Sequence, residues 1–525
     1  MAETLAPPSH ASPPADVNHR AGWGILVGLV CGTFAVGVAQ LIAGLVDPDA
    51  SPIIVVGGAA IDATPEWLKS FAIRTFGSND KTVLLAGIGV VLALVAVSIG
   101  VVAMRRPSAG YAGLAVFGLI GVAAALTRPT ARPTDAFPSL VGGLAGALML
   151  RSFLTLSSSS STEPAEQPTP TGIDRRRFFL TGAAGFAAAL VAGSAGRVFA
   201  RRFEADASRA EVHLPSTTAT AGPPAGADLR VPGLSPFITP NADFYRVDTA
   251  LLVPAVKAEE WQLRIHGMVE RELTVTFDQL MSRSLIERDI TLTCVSNEVG
   301  GEYTGNARWL GAPLKELLDE AGVDPAADQL VSRSVDGFTA GSPTGVVMDG
   351  RDAMLAIAMN GEPLPLEHGF PVRMVVPGLY GYVSATKWII DIELTTFDAF
   401  DAYWIRRGWA QQAPIKTQSR IDTPSSSARV RAGTVPVAGV AWAQHRGIEA
   451  VELSVDGGSW MRAELSTQDT IDTWRQWLVM WEATQGEHEL RVRATDQTML
   501  AQTEEHEPPF PNGATGYHTV VVRVT

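Results

Sequence analysis

Cys294 is the side chain whose surroundings suit it best for chemistry. It stands in Asp289-Ile-Thr-Leu-Thr-Cys-Val-Ser-Asn-Glu-Val-Gly-Gly301, where a β-rich run passes into a polar, glycine-containing loop. A thiol at a strand end beside such a loop can reach a ligand, because loops on a rigid scaffold are where binding groups collect. It can serve catalysis or bind a metal, and its context also fits a buried, inert cysteine. No second cysteine and no His-x-x-x-His spacing lies nearby to complete a zinc site. If Cys294 binds metal, the other ligands must come from a cofactor. Cys31, the other cysteine, lies in an uncharged hydrophobic run. No structural disulfide is therefore expected, and Cys31 reads as a packing residue of a bilayer helix.

At 525 residues the chain exceeds a single domain, and its apolar residues crowd into the first 200, so a membrane part and a soluble part are expected. Trp23 to Val46 and Thr82 to Met104 carry no charge and are long enough to cross a hydrocarbon core of about 30 Å. Ala109 to Thr127 and Phe137 to Leu156 are two more candidate spans, the last interrupted by Arg151, which must reach toward an interface. Ser51 to Ile61 is apolar but too short to span. Ser157 to Thr171 reads as a flexible linker. Next, Asp174-Arg-Arg-Arg-Phe-Phe-Leu180 opens a fifth hydrophobic segment. It resembles a twin-arginine export signal with Arg176 and Arg177 as the pair, or else anchors an ordinary helix by the positive-inside rule.

Both readings put Arg175 to Arg177 in the cytoplasm and everything after about residue 201 outside the cytoplasmic membrane. The nine histidines all lie outside the hydrophobic runs, so no haem held by two histidines is expected in the membrane helices. The spans read as an anchor among lipids. The formal net charge of -13, without a basic stripe in the soluble half, excludes a nucleic-acid partner.

The expected organisation is a disordered tail over 1–20, about four transmembrane helices over 21–156, a linker over 157–174, a fifth transmembrane helix over 175–200, a tether over 201–234, an α+β catalytic domain over 235–419 and a β-sandwich over 420–525. Trp261 to Ile265 predicts a strand and Pro313 to Ala321 a helix. Val451 to Val455 and His488 to Ala494 are the clearest strands of the final stretch.

Several separate strings then agree with one family. Thr291-Leu-Thr-Cys294 with Asn297, Asn306-Ala-Arg-Trp-Leu-Gly311 and Pro313-Leu-Lys-Glu-Leu-Leu318 resemble the cofactor loop of the sulfite oxidase family of molybdopterin enzymes. Asn360-Gly-Glu-Pro-Leu-Pro-Leu-Glu-His-Gly-Phe-Pro-Val-Arg373, Val376-Pro-Gly378 and Thr386-Lys-Trp388 continue the pattern in order. Val451-Glu-Leu-Ser-Val-Asp-Gly-Gly458 and Pro511-Asn-Gly-Ala-Thr-Gly-Tyr-His518 resemble the immunoglobulin-like dimerisation domain that follows in such enzymes. The resemblance covers roughly residues 240 to 525 and leaves out the membrane segments.

Joined to the transmembrane helical bundle read from hydropathy, it implies a fold of three parts, the other two an α+β molybdopterin domain and an immunoglobulin-like β-sandwich. It implies one molybdenum and one pterin per chain, with Cys294 as the metal's protein ligand, and a homodimer through the last domain. His368, Arg373 and Lys387 are the implied donors to the cofactor's phosphate, with Thr386 beside them. Tyr245 and Arg246, in Asp243-Phe-Tyr-Arg-Val-Asp-Thr249, are implied cofactor or pocket residues, and so is Ser334 at a strand end. Arg406 and Trp409 are the implied catalytic positions, since Arg406-Arg-Gly-Trp409 stands where the family's sulfite oxidases have Arg-Arg-Asp-Tyr.

That departure, together with the absence of an Arg-Asn-His string near Arg246, turns the expectation away from sulfite. The expected activity is two-electron oxygen-atom transfer on a small substrate, with electrons exchanged through a separate protein or a quinone-linked membrane partner. A reductase of S- or N-oxides, similar to the family's protein methionine sulfoxide reductases, is one alternative. A non-catalytic, membrane-tethered binding protein is the other.

Overall fold

Uncharged apolar runs become helices wherever the sequence also supplies a start, and two of the starts are prolines. Pro52 opens α2 (Pro52–Ala63) and Pro107 opens α4 (Pro107–Leu126), positions where the missing N–H has no helical partner to lose. With α1 (Asp16–Val46), α3 (Asp80–Ala103) and α5 (Phe137–Ser158) they make up the N-terminal part of the computed structural model. The structure describes residues 16–47, 50–65, 68, 71, 75, 80–128, 131–158, 196–215 and 222–525. It divides into two units, Met1–Ala200 and Arg201–Thr525.

In the first unit, Gly22–Val46, Val83–Ala103, Pro107–Leu126 and Pro133–Thr155 are long and apolar enough to cross a membrane, whereas α2 has only 12 residues. The helices approach closely through small residues. A Cβ on Gly28 of α1 would fall 2.2 Å from the carbonyl oxygen of Ala96 on α3, so only glycine permits that crossing. Close backbone approach of this kind is how helices associate in a solvent that gives no hydrophobic drive. Leu94, Leu119 and Leu144 are about 60% exposed on the outer faces of these helices. The twin-arginine string and most of the fifth hydrophobic segment lie outside the described residues.

The stretch expected as a tether, 201–234, carries part of a helix and specific contacts. Helix α6 (Gly196–Glu211) runs into the second unit and is fastened to it. The Ser208 hydroxyl donates to Glu259 at 2.7 Å and accepts the Ala258 N–H at 2.9 Å, and Arg209 donates to the carbonyls of Pro363 and Leu364 and to the Glu362 carboxylate. Further on, the Leu229 N–H donates to Gln476 at 2.6 Å. The polar composition that suggests a tether is here spent on specific contacts with distant residues, which composition does not reveal.

The first part of the second unit holds two sheets. Strands β1 (Gln262–Gly267), β2 (Leu273–Thr276), β3 (Ile286–Thr293), β4 (Thr304–Pro313), β5 (Gln329–Ser334), β6 (Thr339–Pro343), β7 (Met354–Met359), β8 (Glu362–Pro363), β9 (Arg373–Val375) and β10 (Ile389–Thr395) follow in order. One sheet runs β2-β1-β10-β5-β6, with β1 and β10 parallel. The other runs β3-β4-β7-β8, and β9 pairs with β7. Every residue of β7 is buried, which makes it the centre of the core that also takes Trp261, Leu263 and Trp309. Helix α7 (Leu314–Ala321) buries Leu314, Leu317, Leu318 and Ala321 at helical spacing, and Gly322 ends it at φ +69°.

The last hundred residues form β11 (Gln418–Thr423), β12 (Arg429–Val430), β13 (Gly433–Trp442), β14 (Ile448–Val455), β15 (Met461–Arg462), β16 (Glu464–Leu465), β17 (Arg475–Ala483), β18 (Gly486–Asp496) and β19 (His518–Val524). They make a sheet β11-β13-β17-β16 and a sheet β12-β19-β18-β14-β15, whose inward residues, among them Val437, Trp477, Leu453, Val492 and Val522, share one core.

Where the two halves meet, Asp469 hydrogen-bonds to Asp289, which Arg308 grips at 2.7 and 2.8 Å. Burial and the Asp289 charge push the Asp469 carboxyl up to about 6. A carboxyl whose folded pKa is raised favours the folded state only while it is protonated, so this contact weakens as pH rises through about 6. Asp469→Asn, which imitates the protonated form, is expected to raise Tm relative to wild type at pH 7 to 8 and to lose that advantage at and below pH 4. Thermal melts across that range decide it; a constant difference at every pH would show that the pair does not share a proton.

Candidate functional site

Strand β3 delivers Cys294 to the edge of its sheet, and hydroxyl and amide side chains fix the strand's last turns. Thr291 donates to Asn306 at 3.0 Å, and the Thr293 and Thr304 hydroxyls meet at 3.1 Å. Beyond β3 the loop closes on itself. The Cys294 N–H donates to the Tyr303 carbonyl at 2.9 Å, the Asn297 N–H to the Cys294 carbonyl at 3.1 Å, and the Tyr303 N–H to the Asn297 side-chain oxygen at 2.7 Å. The thiol is 8% exposed. Burial pushes its pKa up, while the N–H and hydroxyl of Ser296, which both bond to it, and the charge of Lys387 favour the thiolate.

Tyr245 and Tyr380 are both close enough to the thiol for its charge to raise their pKa values, on top of the larger effect of burial. Tyr380 is pushed up to about 12, so both phenols stay protonated donors at neutral pH. Arg373 lies near Tyr245 and packs over the Trp309 ring at 4.9 Å. Its partners are main-chain carbonyls, His368 at 3.2 Å and Ala385 at 3.3 Å, and its buried Nε has no partner among the described residues. Burial lowers its pKa to about 10. His368, pushed down to about 4 by burial and by Arg373, is neutral and bonds through Nε2 to the Asn241 carbonyl at 3.0 Å.

A buried guanidinium that meets carbonyls and leaves one N–H idle is a site prepared for an anion. Asn297, whose amide nitrogen is likewise buried and unbonded, adds a second donor on the loop of the thiol. A soft sulfur ligand beside such donors fits a metal carried by a phosphate-bearing cofactor.

The structure thus gathers Cys294, Tyr245, His368, Arg373 and Lys387 into one neighbourhood. Arg246 and Lys387 both donate to Asp248, at 2.9 and 2.6 Å, and Lys387 also reaches the Glu367 carbonyl. The Thr386 hydroxyl is engaged with Ser332 at 2.7 Å, inside the wall, while the Ser334 hydroxyl is buried without a partner among the described residues. Trp409 is buried against Tyr382, Trp404 and Phe510, with ring centroids 5.8, 6.1 and 5.3 Å away, and its N–H has no partner there.

Arg406, expected at the catalytic position, lies on the surface. The turn Ile405–Arg407 ends at Gly408, φ +89°, and this geometry sends Trp409 inward and leaves Arg406 exposed to solvent. Sequence reasoning passed over Tyr380 and Asp248. Tyr380 stands between glycine-rich turns in Gly378-Leu-Tyr-Gly381, a signal of close packing but not of a thiol neighbour, and Asp248 lay inside a string read for what it lacked.

A family model described as "Oxidoreductase molybdopterin binding domain" matches residues 250–404, and one described as "Mo-co oxidoreductase dimerisation domain" matches 410–523. Mitochondrial sulfite oxidase of Mus musculus is 30% identical over 315 residues, which cover 51% of this chain and 57% of that protein. The uncharacterized oxidoreductase YuiH of Bacillus subtilis is 31% identical over 150 residues, covering 29% of this chain and 72% of that protein. The chain belongs to the sulfite oxidase family of molybdopterin-dependent oxidoreductases. It is an enzyme, and its catalytic half is a molybdopterin-binding domain. Among solved structures, the sulfane dehydrogenase SoxCD of Paracoccus pantotrophus aligns over 60% of this chain and 95% of its own, with 24% identity and a TM-score of 0.49. The chain spans 57% of the mouse relative, and the segment carrying the apolar helices precedes both matched domains.

Proposed function

We propose that this enzyme transfers an oxygen atom, with two electrons, to or from a small substrate at one molybdenum and one pterin per chain. The observation that carries the proposal is Cys294 at a fixed strand end, with Tyr245 lying between it and a buried Arg373 that has an idle donor. Bound there, the cofactor supplies the two-electron redox change. Cys294 is its protein ligand, Arg373 with neutral His368 and Lys387 holds its anionic part, and Tyr245 and Tyr380 offer O–H donors beside the sulfur. Arg246, Ser334 and Thr386 line or brace the same wall, and Trp409 shapes the substrate side.

The immunoglobulin-like reading of the final sandwich, and a homodimer formed through it, belong to the same proposal. So does a multi-pass anchor in the cytoplasmic membrane with the catalytic domain outside, supported by four apolar helices and the triple arginine at 175–177. Electrons then pass to or from a separate protein or a quinone-linked membrane partner. Arg246 and Lys387 both donate to Asp248, whose carboxylate offsets part of their charge, and this favours an uncharged substrate such as an S- or N-oxide over a dianion.

Protein purified from a host able to make the cofactor is expected to contain about one molybdenum and one pterin per chain. Metal-free, pterin-free protein from such a host would sink the reading. For the location, a reporter fused after Thr525 should be active only outside the cytoplasm, and activity confined to the cytoplasm would overturn it.

A further inference from the structure

We infer that the C-terminal domain is a working part of the thiol site, its Arg420, Gln444 and His518 positioning the loop that carries Cys294. The inference rests on Cys294 being the metal ligand, as proposed above. Strand β3 is bonded along one side to β4, and its other edge would be open had the C-terminal domain not covered it. The Thr291 N–H donates to the Asp472 carbonyl at 3.0 Å, and the Thr291 hydroxyl accepts from the Trp474 N–H at 2.7 Å. The side-chain nitrogen of Gln444, itself fully buried, donates to the Thr291 carbonyl and to the Thr293 hydroxyl, each at 3.1 Å. Thr293 is the residue directly before the thiol.

On the far side of the loop, Arg420 donates to the Gly301 carbonyl at 2.8 Å, while Asp422 and Ser235 hold the rest of its guanidinium at 2.6 and 2.9 Å. His518 accepts the Ile421 N–H through Nδ1 at 2.9 Å, which fixes its ring against the loop. A Cβ on Gly300 would fall 2.2 Å from that ring, so Gly300, at φ +77°, lies directly under it. The thiol's loop is therefore gripped at both ends, before Cys294 by Gln444 and after it by Arg420 and His518. The gripping residues come from a domain that contributes no ligand. Supports of this type set a ligand's orientation, and their loss typically costs about 10- to 100-fold in affinity or activity.

Two variants of the full-length protein test this. Gln444→Met keeps the volume and removes the donors, and Arg420→Lys keeps a charge for Asp422 and gives up the fork that reaches Gly301. The inference expects amide exchange in peptides covering residues 294–303 to rise about tenfold or more in both, with peptides from β1 and β7 unchanged. It also expects kcat to fall about tenfold or more at unchanged KM and molybdenum content, with a shifted Mo(V) electron paramagnetic resonance signal. Wild-type exchange in that loop, with a lowered Tm as the sole change, overturns it. Should wild-type protein hold no molybdenum, the proposed function fails while the exchange measurement still decides whether the clamp exists. If Gln444→Met does not fold, Arg420→Lys gives the answer alone.

Discussion

Cys294→Ser is expected to lower kcat/KM by about a thousandfold or more, beyond the roughly 10²- to 10³-fold typical of losing one transition-state donor. Serine matches cysteine in shape, but its hydroxyl is neither soft nor readily ionised, so it offers the metal none of the donation that a thiolate gives. The groups that favour the thiolate, the Ser296 N–H and hydroxyl and the Lys387 charge, would then face a neutral oxygen. Stability should change little. Loss of a buried sulfur contact costs on the order of 1 kcal/mol, which for a unit of this size moves Tm by about 2–4 °C. Steady-state assays with an artificial electron acceptor, beside melting curves, separate the two effects. Activity within tenfold of wild type, with the metal retained, would show that another residue is the ligand.

Much of the architecture is legible because hydrophobic periodicity and motif order report it directly. The run from Trp261 to Ile265 alternates and becomes β1; the stretch ending at Ala321 has apolar residues at helical spacing and becomes α7. Ser334 ends β5, as its position after a strand-like run suggests. Cys294 is legible as a strand-end thiol since β3 ends in Ile290-Thr-Leu-Thr293, which is uncharged and largely β-branched. What a sequence hides are contacts between residues far apart. Arg209 and Pro363, or Gln444 and Thr293, carry no mark of one another, so neither the docking of α6 nor the grip on the thiol's loop can be read from composition. The exposure of Arg406 has a local cause. A run of two arginines does not say which of them points inward, and the backbone turn at Gly408 settles it.

Sulfite is expected to be a poor substrate even when the metal site is fully loaded. A small dianion in a desolvated pocket needs fixed positive charge and donors around the reacting oxygen, and only interactions stronger in the transition state raise the rate. The cations beside the thiol have other duties in the proposed function: Arg373 and Lys387 hold the cofactor's anionic part, and Arg246 donates to the Asp248 carboxylate. Arg406 points to solvent. Trp409, where the resemblance places a tyrosine in sulfite oxidases, has a single N–H and cannot accept a proton or a hydrogen bond as a phenol oxygen does. Loss of one well-placed donor costs about 3 kcal/mol, roughly a hundredfold in rate, and an anion without a free cation loses more. An uncharged S- or N-oxide makes no such demand. Parallel assays of sulfite oxidation and S-oxide reduction on one metal-loaded preparation decide the matter: a sulfite kcat/KM at or above about 10⁴ M⁻¹s⁻¹, within the ordinary enzymatic range, would show that this pocket tolerates a dianion after all.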